Sequence, residues 1–503
     1  MNSVNAAYAT RSLSDSLQME PEKSDAIAQS LHRARSAQRR WQTVAIPDRL
    51  RILRQFRGLL TMNAESLCRT MSLPNRAPQD TIVAEILPLA DACRFLECNA
   101  ARILRPRRET NGNRPWWLGA VGVEIHREPR GVVLIIGPRN YPLFLPGVQA
   151  LQALAAGNAV LWKPAPGGSQ VAHRCAQLLE ESGLPRDLVY ILPEAPEAAR
   201  SAIRHTVDLV VLTGSAETGR LVMYQAADTL TPAIMELSGC DPVFVREDSD
   251  VQLVVRALMF GLRFNGSATC IAPRRVFVAR PLYSEVSRGL ADAASALPPM
   301  VVEPQVRSRV VGLARAALAG GAALLHGNLD VENGPGMTPL ILADARPEME
   351  ILQSDIFAPV LGLVPVDNDD QAVASADECP YALGAAVFGE RRGAESLARR
   401  LKVGCVIIND LIVPTADPRV PFAPRRRSGF GITRGAEGLL EMTIVKCIAT
   451  RKRGPRRHLE PASPQDLRIV RSLLEMSHAP TLGRRIRAAI RFALSVVQRM
   501  RGA

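Results

Sequence analysis

The chain has nine cysteines, scattered from Cys68 to Cys447, and no CxxC pair among them. A disulfide framework and a zinc knuckle therefore find no support, no metal site is expected, and a reducing cytoplasm suits the thiols. The opening residues Met1-Asn2-Ser3-Val4-Asn5-Ala6 lack the basic run and apolar stretch of a secretory signal, so a cytoplasmic location is expected. No repeat of fixed period appears, which sets solenoids and propellers aside. Residues 140–162 carry no charge, yet Pro142, Pro146, Gly147, Gly157 and Asn158 punctuate them. A buried strand, turn and helix fits that content better than a membrane span. Lysine is scarce, at five of the 62 basic residues.

With 503 residues, 47% of them apolar and 22% charged, the chain is long enough for two or three globular domains. The net charge of +13 is unevenly placed. Residues 451–503 hold 13 Arg or Lys against three acids, so the body is nearly neutral and the tail is basic.

Residues 25–105 read as helices, on apolar spacings such as Leu50, Leu53, Phe56 and Leu60. Short β-branched runs then begin: 131–137, 159–162, 188–192 and 209–212, with helical stretches between them. A second set follows at 242–245, 275–278, 323–325, 360–364 and 405–408. Such alternation predicts an α/β fold of two doubly wound domains facing across a cleft, with ligands beyond the carboxyl ends of the strands.

Two residues suggest chemistry. Cys270 lies in Phe264-Asn265-Gly266-Ser267-Ala268-Thr269-Cys270-Ile271-Ala272-Pro273, and Glu236 in Met235-Glu236-Leu237-Ser238-Gly239. A thiol attacks as its thiolate and so needs a base or a lowered pKa. Gly137-Pro138-Arg139-Asn140-Tyr141-Pro142 adds an amide that can donate to an oxyanion, and Trp162-Lys163-Pro164 adds a cation, written as lysine in a chain that favours arginine. The glycine turn Thr213-Gly214-Ser215-Ala216-Glu217-Thr218-Gly219 suits an anion at a helix start.

Over roughly residues 30–450 these segments together resemble the NAD(P)-dependent aldehyde dehydrogenase superfamily, near its fatty-aldehyde branch. The resemblance implies a Rossmann-like cofactor domain, a catalytic thiol domain and a small β oligomerisation arm. It places the cofactor domain at 132–236 behind a helical region at 1–118, and the arm at 119–131 and 437–450. The catalytic domain follows at 237–410, a return past the substrate mouth at 411–436, and the basic tail at 451–503. It makes Cys270 the nucleophile, Glu236 the base that activates water, and Asn140 the oxyanion donor. Pro138, Lys163, Thr213, Gly214, Ser215, Gly219, Leu237, Asp355 and Phe357 fall at its cofactor positions.

The chain departs from the family at several places. Ser267-Ala268 replace Gly-Gln before the nucleophile, Ser238 replaces a glycine beside the nicotinamide path, and Asp355 replaces a glutamate. Pro166 stands where a carboxylate would accept from the ribose 2′-hydroxyl, so NADP is expected alongside NAD. The mouth segment Pro421-Phe422-Ala423-Pro424 has lost its glycines.

Leu482, Ile486, Ile490, Ala493, Val497 and Met500 recur at spacings of three and four among arginines, which predicts a basic amphipathic helix. An anionic membrane surface and the enzyme body are both open as its partner; nucleic acid ranks last, since the tail has no interleaved aromatics. The expected reaction is oxidation of a long-chain or lipidic aldehyde to the acid by a homo-oligomer. Acyl transfer to coenzyme A and a catalytically weak scaffold are the alternatives.

Overall fold

The computed structural model describes residues 21–501 except 72, 111, 113, 331–335, 452–455, 460 and 462–463. Lys452 and Glu460 of the basic tail lie outside the described residues. Helices Pro21–Trp41, Ile46–Met62 and Leu87–Ile103 open the chain. Leu53, Phe56 and Leu60 are fully buried, as their spacing predicts.

The first sheet is built from β1 (Val132–Ile136), β2 (Ala159–Lys163), β3 (Val189–Ile191), β4 (Leu209–Gly214) and β5 (Ala233–Leu237). The second uses β6 (Asp241–Val245), β7 (Pro273–Ala279), β8 (Ala323–His326), β9 (Leu340–Ala343), β10 (Val360–Val366), β11 (Gly384–Phe388) and β12 (Cys405–Ile408). A short β13 (Gly429–Phe430) returns to the first sheet, whose order is β13-β5-β4-β1-β2-β3. All its pairings are parallel except β13 against β5. Every residue of β1 and β2 is buried, as the covered faces of a parallel sheet require. The second sheet runs β8-β9-β10-β7-β6-β11-β12 and is parallel but for β8. The α/β fold expected from the alternation is present.

In the first sheet the strand order reverses between β1 and β4, and a ligand crevice opens at the carboxyl ends of such strands. Register sets who stands there: Ile136 faces Lys163 on one side and Leu212 on the other, and Thr213 faces Glu236. Glu236 is pinned from its far side by Gly429, its partner across β13. Gly429 has φ +110, and a Cβ there would meet the Met235 carbonyl at 1.9 Å, so only glycine closes this edge.

The uncharged segment 140–162 forms the buried helix Phe144–Ala156, ended by Gly157 at φ 98, and then β2. No described helix is long and apolar enough to cross a membrane.

By internal contacts the chain divides into Met1–Pro106 with His126–Lys446, and Arg107–Ile125 with Cys447–Ala503. The smaller unit contains helices Pro464–His478 and Leu482–Arg501, packed on each other. The first of these was not anticipated. The second packs through Ala488, fully buried, and Phe492, whose ring meets Trp116 edge-on at 6.0 Å. The stripe of Leu482, Ile486, Ile490 and Val497 stays exposed, so the apolar face that defines the amphipathic helix is not the one that packs. Arg107–Arg108, Val121–Pro129 and Thr443–Arg451 form a separate three-stranded sheet.

A buried ion pair within the helical region bonds the turn that leads into helix Phe144–Ala156. Arg76 Nη1 lies 2.6 Å from Glu85 Oε1, with both side chains at most 1% exposed. Removing one partner of such a pair strands the other charge. Arg76→Met is expected to cost about 3–5 kcal/mol of stability, read as a lower urea midpoint at unchanged slope.

Candidate active site

Helix Val251–Arg263, capped by the Asp250 carboxylate on the Leu253 N–H at 3.0 Å, delivers the chain into the turn before Cys270. Asn265, Gly266 and Ser267 are consecutively left-handed, with φ of 54, 59 and 61. Glycine enters that region freely and asparagine often, but serine is strained. Arg274, which the sequence did not single out, holds the strained residue. Its Nη1 donates to Ser267 Oγ at 2.7 Å and its Nη2 to the Ser267 carbonyl at 2.5 Å. Burial brings the Arg274 pKa down to about 10, while Cys240 and Asp241 oppose that fall.

The turn is also tied to the oxyanion candidate. Asn140 Nδ2 donates to the Ala268 carbonyl at 2.8 Å, which uses one of its two N–H bonds and leaves the other. The Asn140 carbonyl accepts from Arg76 Nη2 at 2.9 Å and Asn265 Nδ2 at 3.3 Å. Arg76 in turn lies over the Tyr141 ring, and its partner Glu85 accepts the N–H groups of Leu143 and Phe144, where the buried helix begins. None of this network was legible beforehand, because Arg76 and Glu85 sit in no recognisable motif.

Cys270 and Glu236 line one cavity of about 250 Å³. Most of the remaining wall is apolar: Val83, Pro88, Phe144, Leu145, Phe260, Phe264, Ile271, Ile412, Val413 and Phe422. Burial, then the charges of Glu236 and Asp241, push the Cys270 thiol above its ordinary pKa, and Arg434 pulls it back in part. Burial likewise raises Glu236, against Arg434 and a hydrogen bond donated by the Thr433 hydroxyl. Arg434 is a second residue the sequence reading missed. It is buried, lies 4.4 Å over the Phe422 ring, and lowers the pKa of both the thiol and the carboxyl.

A second cleft, of about 940 Å³, opens on the first sheet's carboxyl edge. Ser215, Gly219, Leu237 and Asp355, four of the residues at the resemblance's cofactor positions, line it. Pro138, Lys163, Thr213, Gly214 and Phe357 do not, although Lys163, Thr213 and Gly214 end strands on that edge. Ser215 caps helix Ala216–Thr229, its Oγ accepting from the Thr218 N–H at 3.1 Å. With Arg220, Arg309, Arg426 and Arg427 also in the wall, the cleft fits a pyrophosphate dinucleotide. Two departures from the family answer each other here. Ser238 Oγ donates to Asp355 Oδ2 at 2.7 Å, so the added hydroxyl holds the shortened carboxylate. Among the described residues no group of three His, Cys, Asp or Glu side chains is placed to hold a metal.

Comparison with known proteins matches residues 14–448 to the aldehyde dehydrogenase family. A 4,4'-diapolycopene aldehyde oxidase from Methylomonas is 30% identical, over 86% of this chain and 83% of its own. A putative NADP-dependent succinate-semialdehyde dehydrogenase of Mycolicibacterium smegmatis is 28% identical, over 84% of each chain. The structure of the P. syringae indole-3-acetaldehyde dehydrogenase AldA with NAD+ superimposes with a TM-score of 0.79 at 26% identity, covering 86% of this chain and 89% of that one.

The raised Cys270 pKa has a measurable sign. Below that pKa the thiolate fraction climbs about tenfold per pH unit, so iodoacetamide labelling of the Cys270 peptide should accelerate steadily to alkaline pH. Glu236→Gln removes a negative charge that opposes the thiolate and should speed labelling severalfold at fixed pH, as followed by peptide mass spectrometry.

Proposed function

Because the chain belongs to the aldehyde dehydrogenase family, we propose that it oxidises a long-chain or lipidic aldehyde to the carboxylic acid, with Cys270 as nucleophile and Glu236 as base. The observation that carries this reading is the shared cavity, in which a thiol and a carboxyl face one space with a largely apolar wall. An apolar wall binds an alkyl chain by removing it from water. The lipid-derived aldehyde in the name of the Methylomonas relative supports the same class.

In this reading the Cys270 sulfur attacks the carbonyl carbon, and the oxygen gains charge beside the free N–H of Asn140 and the backbone N–H of Cys270. Such donors contribute about 3–4 kcal/mol to a transition state of this kind. A nicotinamide dinucleotide in the Arg-rich cleft would supply the hydride acceptor, and Ser215, Leu237 and Asp355 would hold it. Glu236 then takes a proton from water, which attacks the Cys270 thioester, and the thiolate departs as the acid is released. Arg434 favours the charged form of both groups against the effect of burial. The presence of Glu236 in the cavity disfavours transfer to coenzyme A.

Arg263 and Arg434 also line the cavity, which supports a second reading in which the aldehyde bears a carboxylate, as in the name of the Mycolicibacterium relative. Absorbance of reduced nicotinamide across alkyl aldehydes of increasing length and succinic semialdehyde separates the two. Rates that rise with chain length and vanish in Cys270→Ala are expected, and no reduction with any aldehyde would leave the scaffold reading. Glu236→Gln should lower turnover by about 10²–10⁴-fold. Its base must be ionised to work, so wild-type turnover should fall as pH drops through a pKa above the ordinary carboxyl range.

The tail supports a role at a lipid surface. Leu467, Val470 and Leu474 on one helix, and Leu482, Ile486, Ile490, Leu494 and Val497 on the next, are exposed among Arg484, Arg485, Arg487 and Arg491. Apolar stripes beside basic side chains complement an anionic bilayer. Exposed Ile444, Val445 and Ile448 on the strand Thr443–Arg451 support pairing with a second copy. The full chain should sediment with phosphatidylserine vesicles, less so at high salt, and Ile486→Glu with Ile490→Glu should abolish this; equal recovery with neutral vesicles would refute a charge-guided contact.

A further inference from the structure

Two cysteines meet behind the wall of the arginine-lined cleft. Cys240 is the last residue before β6, where the chain passes from the first sheet into the second, and Cys379 lies in the turn between helix Asp369–Asp377 and the short strand Tyr381–Ala382. With Tyr381 they form a small buried cluster, separate from the larger cores, and Ala216 packs against it. Ala216 and Tyr381 also line the cleft. Both thiols are free, and neither lines the cavity that holds Cys270.

Two guanidiniums fix the backbone on either side of the pair. Arg275 donates from Nε to the Cys240 carbonyl at 2.9 Å and from Nη1 to the Ala376 carbonyl at 3.0 Å, so one side chain spans both segments. Arg426, itself in the cleft wall, donates to the carbonyls of Asp377 and Cys379 at 2.7 and 2.9 Å. The Cys240 thiol donates to the Leu352 carbonyl at 3.3 Å, with Cys379 within hydrogen-bonding reach. That neighbouring thiol, and then the charges of Arg275 and Arg426, hold Cys379 below the ordinary thiol pKa against burial, while Cys240 is pushed well above it by Cys379 and by burial. One thiol is suited to attack and the other to resolve.

We propose that Cys240 and Cys379 form a reversible disulfide under peroxide, and that closing it loosens the dinucleotide cleft. The bond stands apart from any reading of the function, whereas its effect rests on the dinucleotide reading above. Glu378 beside Cys379 is exposed, so a molecule as small as peroxide enters when this turn opens. The Cys379 thiolate attacks one peroxide oxygen and the O–O bond breaks, leaving a sulfenic acid and a hydroxide that takes up the proton Cys379 gave as its first water. Cys240 then attacks the Cys379 sulfur, the S–O bond breaks, and the hydroxyl leaves with the Cys240 proton as a second water. Two thiols are oxidised to one disulfide while one peroxide is reduced to two waters. A disulfide draws its sulfurs closer than two thiols in contact can come, so the strip 238–240 must move toward the turn at 379. The strip touches both sites: Ser238 donates to Asp355 in the cleft, and a Cβ at Gly239 would lie 2.9 Å from the Cys270 carbonyl oxygen. Tyr381, whose hydroxyl bonds Asp355 at 3.4 Å, moves with Cys379.

Full-chain Cys270→Ala protein removes the cavity thiol from the readout. After peroxide, peptide mass mapping without reductant should recover the Cys240 and Cys379 peptides joined, and NAD or NADP affinity by calorimetry should fall about tenfold, with dithiothreitol reversing both. Adding Cys240→Ser should abolish the link and the loss of affinity together. Peptides that stay separate, or that join with no change in affinity, would overturn the proposal, and both results are read on the unsubstituted pair even if the serine variant folds poorly. Binding of neither dinucleotide by the reduced protein would overturn the control of the cleft along with the cofactor reading, an outcome distinct from a failure to link.

Discussion

The site depends on a buried ion pair between two residues that do no chemistry. Arg76 and Glu85 are both out of water, a costly state that is tolerable because every side-chain nitrogen of Arg76 and both oxygens of Glu85 have a partner. Glu85 takes the first N–H groups of helix Phe144–Ala156, and Arg76 takes the Asn140 carbonyl and the Asn265 amide oxygen. The turn bearing Asn140 and the turn before Cys270 are thereby fixed to the same guanidinium. The oxyanion donor proposed here, Asn140, is useful only if it is already in place when charge develops, and this pair holds its turn.

Around that anchor, residues that look like losses are matched by new partners. Ser267 occupies a left-handed position better suited to glycine, and Arg274 holds it through two hydrogen bonds. Ser238 adds a hydroxyl near the cofactor cleft, and Asp355, one methylene shorter than glutamate, accepts from it. Lost glycines and shortened acids in a single sequence suggest decay of function. In three dimensions Ser267, Ser238 and Asp355 each meet a specific contact, which argues for a remodelled site.

The helices and β-branched strands were legible because their periodicity follows from burial, and β1, β2 and β4 appear where the apolar runs place them. The strand β5 was hidden by Glu236, a carboxylate in the middle of a buried element, and β11 by its small residues Gly384-Ala385-Ala386. The amphipathic helix was legible too, but not its orientation. Its apolar stripe matched a period, whereas the face that packs is selected by Ala488 and Phe492 against what lies beside them.

Cys270, Glu236 and Asn140 could be singled out from the sequence as candidates, since the short segments around them carry the resemblance to the family. The sequence also determined the alternation that makes two α/β sheets and the separation of a basic tail from a neutral body. Only the tertiary structure decided that Arg434 sits in the cavity, that Arg274 secures the turn, and that Cys240 and Cys379 come into contact. Those contacts join residues far apart in the chain, and electrostatic effects depend on distance and burial in space, quantities that no local pattern encodes.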